Sequence, residues 1–182
     1  MDTDLVIRAQ QGDKQAFATL AAARADRYLA VARRILREID LAEDATQQAL
    51  LNIWRDLPQL REPMRFDAWS YRLLLRACYA EASRKRRWAR GISLNPLDEP
   101  VAADAHRSVI DRDEIERGFR RLSMDHRTVV VLHHYLDLPL EAIAEIVGVS
   151  SGTVASRLHY AMRGLRAALD ADARAGITQV AR

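Results

Sequence analysis

Cysteine is almost absent from this 182-residue chain, where Cys78 stands alone. A single thiol permits no intramolecular disulfide and no four-cysteine zinc site. Long apolar runs are missing as well, and nothing approaches the roughly 18 to 20 consecutive apolar residues that a bilayer span needs. The first residues, MDTDLVIRAQQGD, are acidic and polar, without the basic-then-apolar order of a secretion signal. These absences exclude a secreted disulfide scaffold and a membrane-inserted protein, and they predict a cytoplasmic, soluble one. Glycine and proline are scarce, at 7 and 5 residues, and most of them fall at Pro58, Pro63, Gly91, Pro96, Pro100, Pro139, Gly148 and Gly152. Between these marks apolar residues recur at three- and four-residue spacing rather than in alternation, which predicts an all-α protein. Lysine is nearly missing too: Lys14 and Lys85 are the only two among 28 basic residues. Guanidinium forks suit phosphate and base edges, although a GC-rich genome yields the same bias with no function attached.

What is present becomes informative once it is divided along the chain. Residues 91–112, GISLNPLDEPVAADAHRSVIDR, hold two prolines and no long apolar period. They are expected to form a flexible linker between two small helical domains, residues 1–90 and 113–182. Residues 1–90 carry 17 basic and 12 acidic groups, a net of +5. Residues 91–113 carry 2 and 5, and residues 114–182 carry 9 and 8. The near-neutral total of +3 therefore conceals a basic N-terminal domain and an acidic tether.

In the first domain, the spacing predicts a helix from Asp4 to about Leu20 and a second from about Arg24 to Glu38. A third begins at Asp40, whose carboxylate can cap it with Glu43 at the capping-box position. On this third helix Asp44, Gln47, Gln48, Leu51 and Arg55 fall on one stripe, opposite Ala42, Ala45, Ala49 and Ile53. Such a stripe is either solvated surface or a protein-docking face. The fourth helix starts near Phe66. Phe66, Trp69, Leu73 and Ala77 form its apolar stripe, widened by Leu74, Cys78 and Ala82. Arg72, Arg76, Tyr79, Ser83 and Arg87 form a polar one. Its end is crowded with Arg84, Lys85, Arg86, Arg87 and Arg90 around Trp88. One or two charges would complement the helix dipole. Five with an interleaved indole match the stacking-plus-phosphate arrangement of single-strand nucleic-acid binders; an amphipathic membrane-surface helix is the alternative.

The second domain reads as three or four helices, with Val129, Val130, Leu132 and Leu136 inward on one of them. Pro139 suits a helix N1 position, Gly148 the left-handed turn at that helix's end, and Ser150 or Ser151 the cap of the next. Val154, Leu158, Met162, Leu165 and Leu169 then repeat at helical spacing. Two helices about a glycine turn are the helix-turn-helix layout, equally open to a plain αα-hairpin. The outer face of the second helix offers Ser151, Gly152, Thr153, Ala155, Ser156, Arg157, His159, Tyr160 and Arg163. Adjacent His133 and His134 point to different sides of their helix, and His133 with Asp137 finds no third ligand. Cys78 on an apolar face reads as a packed thiol. With no glycine-rich phosphate loop and no serine on a sharp turn, the sequence calls for no metal, no cofactor and no enzymatic activity.

The order of these features resembles bacterial RNA polymerase sigma factors of the extracytoplasmic-function (ECF) type over nearly the whole length. AEDATQQALLNIW (42–54) resembles that family's polymerase-docking helix. Phe66, Trp69, Tyr71 and the basic stretch after them resemble its promoter-melting segment. LSMDHRTVVVLHHYLDLPLEAIAEIVGVSSGTVASRLHYAMRGLRAAL (122–169) is similar to its second domain. The resemblance implies a promoter-recognising initiation factor with core polymerase, promoter DNA and an anti-sigma factor as partners. Asp44, Gln47, Gln48, Leu51 and Arg55 would dock on the β′ clamp coiled coil, and the second domain would meet the β flap. The loop 58–66 with Arg65, Phe66, Trp69, Tyr71, Arg72, Arg76 and Tyr79 would hold an unstacked base of the −10 element. Arg84, Lys85, Arg86 and Arg87 would follow the phosphates beside it. Ser151, Gly152, Thr153, Ala155, Ser156, Arg157, His159, Tyr160 and Arg163 would read the −35 element as duplex. Departures from the family pattern are Arg76 in place of a common Asn, Ala155 in place of a commonly basic residue, and Pro139 and Ala142 in place of Ser and Glu.

Overall fold

A computed structural model describes residues 3–92 and 118–180, with side chains described for 3–90 and 118–168. Among the described residues every regular element is helical. The helices form two units, taken here in turn.

The first unit opens with α1 (Thr3–Gln10) and α2 (Lys14–Leu36). The sequence pattern had carried one helix across this junction and broken the chain near residues 20–24; the structure does the reverse. Gly12 takes φ 92°, a left-handed conformation that stops α1. Asp13 then caps α2, its Oδ1 accepting the Gln15 and Ala16 amides at 2.9 and 3.0 Å. The Ala16 amide and the Arg8 guanidinium hold its carboxyl below the usual carboxylate range. Helix-forming alanines and arginine carry α2 through residues 21–25 without interruption. Arg37, at φ 67°, ends α2 in a left-handed cap.

α3 runs Ile39–Asp56, after Glu38, whose side chain makes no capping bond. Asp40 thus lies inside the first turn rather than at the cap, where it still complements the helix dipole. Two short 3-10 turns, Leu57–Gln59 and Pro63–Arg65, lead into α4 (Phe66–Ile92). The core gathers Tyr28, Val31, Ala32 and Ile35 of α2, Ala42, Ala45, Ala49 and Ile53 of α3, and Leu73, Leu74, Ala77 and Cys78 of α4. The alanine face of α3 lets its backbone approach its neighbours, while the larger side chains opposite contribute about 1.5–3 kcal/mol each by burial. One polar chain crosses this core: Tyr28 Oη donates to Ser70 Oγ at 2.7 Å, and Ser70 Oγ donates to the Asp67 carbonyl at 2.9 Å. Burial pushes the Tyr28 phenol well above its ordinary range. At its edge Arg24 lies over the Phe66 ring, 5.2 Å from its centroid, and donates to Asp67 at 2.9 Å.

Gly91 and Ile92 continue α4, so the segment expected as a linker begins within helix. Residues 93–112, the rest of that expected linker, lie outside the described residues, as do 113–117.

In the second unit a helical turn at 118–121 precedes α5 (Met124–Val130), which continues as a π-helical turn over Val131–Tyr135. Ser123 caps α5, its Oγ accepting the His126 amide at 3.3 Å. Val129, Val130, Leu132 and Leu136 are buried as the spacing implied. α6 spans Leu140–Val147, its residues from Ala144 onward counted with the first unit. Pro139 contributes its carbonyl to the Ile143 amide at 3.1 Å and so stands one place before N1. Gly148, at φ 78°, closes the helix with its amide on the Ala144 carbonyl at 2.8 Å. Ser150 caps α7 (Ser151–Val180), accepting the Thr153 amide at 3.2 Å. Ala161 and Leu165 of α7 cluster with Leu122 and Val130, and Phe119, Leu158 and Met162 pack against them. The side chain of Leu169 is outside the described set. Residues 170–180 continue α7 as helix.

Candidate docking and nucleic-acid interfaces

α3 is divided sharply. Ala42, Ala45, Ala49 and Ile53 are buried, whereas Asp44, Gln47, Gln48, Leu51 and Arg55 are all exposed. Leu51 is 55% exposed, an isobutyl group that contributes nothing to the core. Gln48 Nε2 donates to Asn52 Oδ1 at 3.0 Å. Arg55 spends its fork on neighbouring Asp56, at 2.7 and 3.0 Å, which raises the arginine's proton affinity and lowers that of the carboxylate. The stripe also contains Trp54, partly exposed and packed on the Phe17 ring at 4.7 Å. Sequence reasoning passed over Trp54, although its place three residues after Leu51 was a legible signal.

The residues expected to hold an unstacked base separate into two sets. Arg65 and Arg76 are exposed, and Trp69, Arg72 and Tyr79 are half-buried. Phe66 and Tyr71 are not presented to solvent. Phe66 is 1% exposed beneath Arg24, and Tyr71 packs edge-on against Tyr28, centroids 5.4 Å apart. Tyr71 precedes Leu74 and Cys78 by three and seven positions and so shares their buried face. Neither ring is available to stack on a base; both belong to the core of the first unit. The loop before α4 is fixed from α1, where Gln10 Nε2 donates to the carbonyls of Leu57 at 3.2 Å and Leu60 at 2.6 Å. Met64, 75% exposed in that loop, was not singled out from the sequence.

The basic end of α4 is less uniformly positive than its composition. Arg84 pairs with Asp44 of α3 at 3.1 Å and with Glu81 at 2.5 Å, and Lys85 pairs with Glu38. Arg86, Arg87 and Arg90 are exposed around Trp88, itself 70% exposed. Arg86 donates to Ser83 Oγ at 3.3 Å, and Arg90 to the Arg86 carbonyl at 3.2 Å. On the opposite, buried face, Cys78 is fully enclosed and burial pushes its thiol up to about 12. Thiol reagents at mildly alkaline pH are therefore expected to leave Cys78 unmodified until the protein is unfolded in guanidinium. Mass spectrometry checks this, and labelling of the native protein would contradict the packing.

On α7, Ser151, Gly152, Ala155, Ser156, His159, Tyr160 and Arg163 are exposed and Thr153 is half-buried against Ser150. Arg163 lies over the Tyr160 ring at 5.6 Å, and His159 meets the same ring edge-on at 5.6 Å. Arg157 departs from the expectation of an outward DNA contact. Only 25% exposed, its side chain turns to Asp125 of α5, 2.7 Å away. A partner on another helix cannot be seen from the spacing within α7. The His133 ring is engaged at 3.0 Å with the Leu138 carbonyl. Among the described residues no group of His, Cys, Asp or Glu is placed to hold a metal ion, and no helix is long and apolar enough to cross a membrane.

Comparison with known proteins gives these surfaces a context. Residues 20–88 match the family model for Sigma-70 region 2, and residues 112–165 that for Sigma-70, region 4. The ECF RNA polymerase sigma factor SigL of Mycobacterium tuberculosis is 30% identical over 165 residues, covering 87% of this chain and 93% of that protein. The RNA polymerase sigma-H factor of Pseudomonas aeruginosa is 29% identical over 188 residues, covering 92% and 93%. Among solved structures, CnrH in complex with the cytosolic domain of CnrY superposes with a TM-score of 0.70 at 25% identity, over 94% of this chain and 98% of that one. The sigma factor RpoE, in complex with the anti-sigma factor NepR from Bartonella quintana, shares the fold with a TM-score of 0.69 at 22% identity, over 86% and 98%.

Proposed function

Since the chain belongs to the ECF family of RNA polymerase sigma factors, and so to the promoter-specific transcription initiation factors, we propose that three of its helices divide that work between them. The exposed stripe of α3 docks on the β′ clamp coiled coil of core polymerase through Asp44, Gln47, Gln48 and Leu51, with Arg55 at its edge. The surface of α4 and the loop before it receives the −10 element and assists melting. There Trp69, Arg72, Arg76 and Tyr79 border the pocket for an unstacked base, and Arg65 stands at its rim. Unstacking costs a few kcal/mol, offset by stacking and edge contacts. Arg86, Arg87 and Arg90 around Trp88 follow the phosphates. The outer face of α7 reads the −35 element as duplex, and the domain that carries it also meets the β flap. Residues 1–90 and 113–182 act as the two recognition domains, with 91–112 as tether, in the cytoplasm and without catalysis of their own.

The observation that carries this reading is the α3 stripe. Hydrogen-bonding groups and a water-exposed leucine share one face of a helix whose opposite face is wholly buried. That composition fits a desolvated docking surface better than a solvated one. CnrH and RpoE are held in their structures by the cytosolic domain of CnrY and by the anti-sigma factor NepR. By the same chemistry an anti-sigma partner of this chain covers the α3 and α4 surfaces and keeps polymerase from them. Titration of fluorescently labelled protein with core polymerase tests the docking: saturable, stoichiometric binding is expected, and no binding would overturn it.

The phosphate role of α4 has its own signature. For single-stranded DNA each neutralised phosphate contributes about 0.7 to the slope of log affinity against log salt. Arg86→Gln, Arg87→Gln and Arg90→Gln are each expected to reduce that slope by about this amount, read on a forked promoter fragment with polymerase present. Arg84→Gln and Lys85→Gln are expected to change it less, because Asp44, Glu81 and Glu38 already balance those charges. Equal effects at all five positions would contradict the pairing.

A further inference from the structure

We infer that Asp125 and Arg157 are a positioning pair that sets the angle of α7 for −35 recognition, and that Arg157 is not itself a base-reading residue. The inference rests on the proposed role of α7 and goes beyond it by naming what aims the helix. On an α-helix, four residues turn the chain by about 40° net and six by about 120°. Arg157 is therefore about 40° from buried Ala161 and about 120° from exposed Arg163. It stands on the shoulder of α7, beside the core and away from the centre of the outer face.

Its partner explains that placement. Asp125 lies in the first turn of α5, two residues after the Ser123 cap, where the helix dipole favours a carboxylate. The Arg157 guanidinium reaches it at 2.7 Å, with the arginine largely withdrawn from solvent. The apolar contact of α7 includes Leu122, Val130, Ala161 and Leu165, extended by Phe119, Leu158 and Met162, and Val154 is fully buried. Apolar packing of this kind is non-directional. An ion pair from the N-terminal half of α7 to the start of α5 restrains the rotation and tilt of α7. A DNA-reading helix needs such definition, because base contacts tolerate displacements well under an ångström. Ala155 and Ser156 precede Arg157 on α7, and His159 and Tyr160 follow it; all four are exposed. They are the side chains whose aim the pair controls.

The test uses full-length protein with core polymerase and a randomised duplex library, so that the bound sequences define the −35 preference directly. Arg157→Ala and Asp125→Ala are each expected to lower affinity about fivefold for every selected sequence, leaving the preferred bases unchanged. The double variant is expected to be no weaker than either single one, and the exchanged pair Asp125→Arg with Arg157→Asp to recover most of the loss. Relaxed preference at one base position in Arg157→Ala, with Asp125→Ala unaffected, would overturn the inference in favour of direct readout. Hydrogen exchange at the amides of 151–158 in the free protein supplies a reading that needs no DNA. Both single variants are expected to accelerate it alike, and the double no further. Unchanged exchange in both would sink the clamp even if the library result were lost through failure of −35 binding altogether.

Discussion

Leu51→Asp is expected to weaken binding to core polymerase by about a hundredfold or more while leaving the protein folded. The size follows from where the side chain stands. At 55% exposed it lends almost nothing to the core, so its replacement falls among the surface substitutions that shift stability by about 0.5 kcal/mol or less. In the proposed complex the same position lies at the middle of the α3 stripe, near Gln47, Gln48 and Trp54. A carboxylate there must lose its water without gaining a partner, and desolvation of an unpaired charge dominates every other contact in such a patch. Competition binding against the unmodified protein measures the loss, and circular dichroism checks that folding is retained. An unchanged affinity would remove α3 from the interface.

Ile53→Ala is expected to act from the other side of the same helix. Ile53 is 1% exposed among the alanines that face α2 and α4. Truncation removes three carbons from a packed site and leaves a cavity that the short neighbouring side chains cannot fill. The expected cost is about 2–5 kcal/mol, read as a lower midpoint for unfolding of the first unit in urea. Polymerase binding falls only as the folded fraction falls. A loss below about 1 kcal/mol would mean that α3 is less tightly seated than its buried face indicates. The two variants thus separate the roles of the two faces: one breaks docking without unfolding, and the other unfolds without touching the docking surface.

The same division explains what could be read in one dimension. Alanines at positions 42, 45 and 49 with Ile53 assign the inner face of α3, and with it the outer stripe, from spacing alone. Val129, Val130, Leu132 and Leu136 likewise reported their burial. Local chemistry was harder to weigh. Gly12 and Asp13 were enough to break the first helix, yet the apolar period running through Leu5, Ala9, Phe17 and Leu20 argued for continuity. The cap of α7 fell to the first of two serines. Pairings between helices were invisible. Asp44 with Arg84, Glu38 with Lys85, and Asp125 with Arg157 join residues far apart in sequence. They convert apparent free charge into internal structure. Tyr71 shows the opposite case: its spacing to Leu74 and Cys78 marked it as core, while likeness to a base-binding segment drew it toward the surface.

The pairing of Asp44 with Arg84 also bears on how the surfaces work together. The carboxylate proposed to dock on polymerase is the one that balances an arginine on the proposed DNA surface. An exposed pair of this kind is worth little to the fold, about 0–1 kcal/mol, so Asp44 can leave it for a larger partner, while Glu81 still pairs Arg84.

Transcription in a purified system puts the central claim to the most direct test. Core polymerase, fragmented genomic DNA and this protein are combined, and transcript 5′ ends are mapped with and without the protein. The expected result is a set of start sites that appear only in its presence and share upstream elements at the −35 and −10 positions. Identical transcripts in both reactions, with core polymerase of demonstrated competence toward another sigma factor, would contradict it.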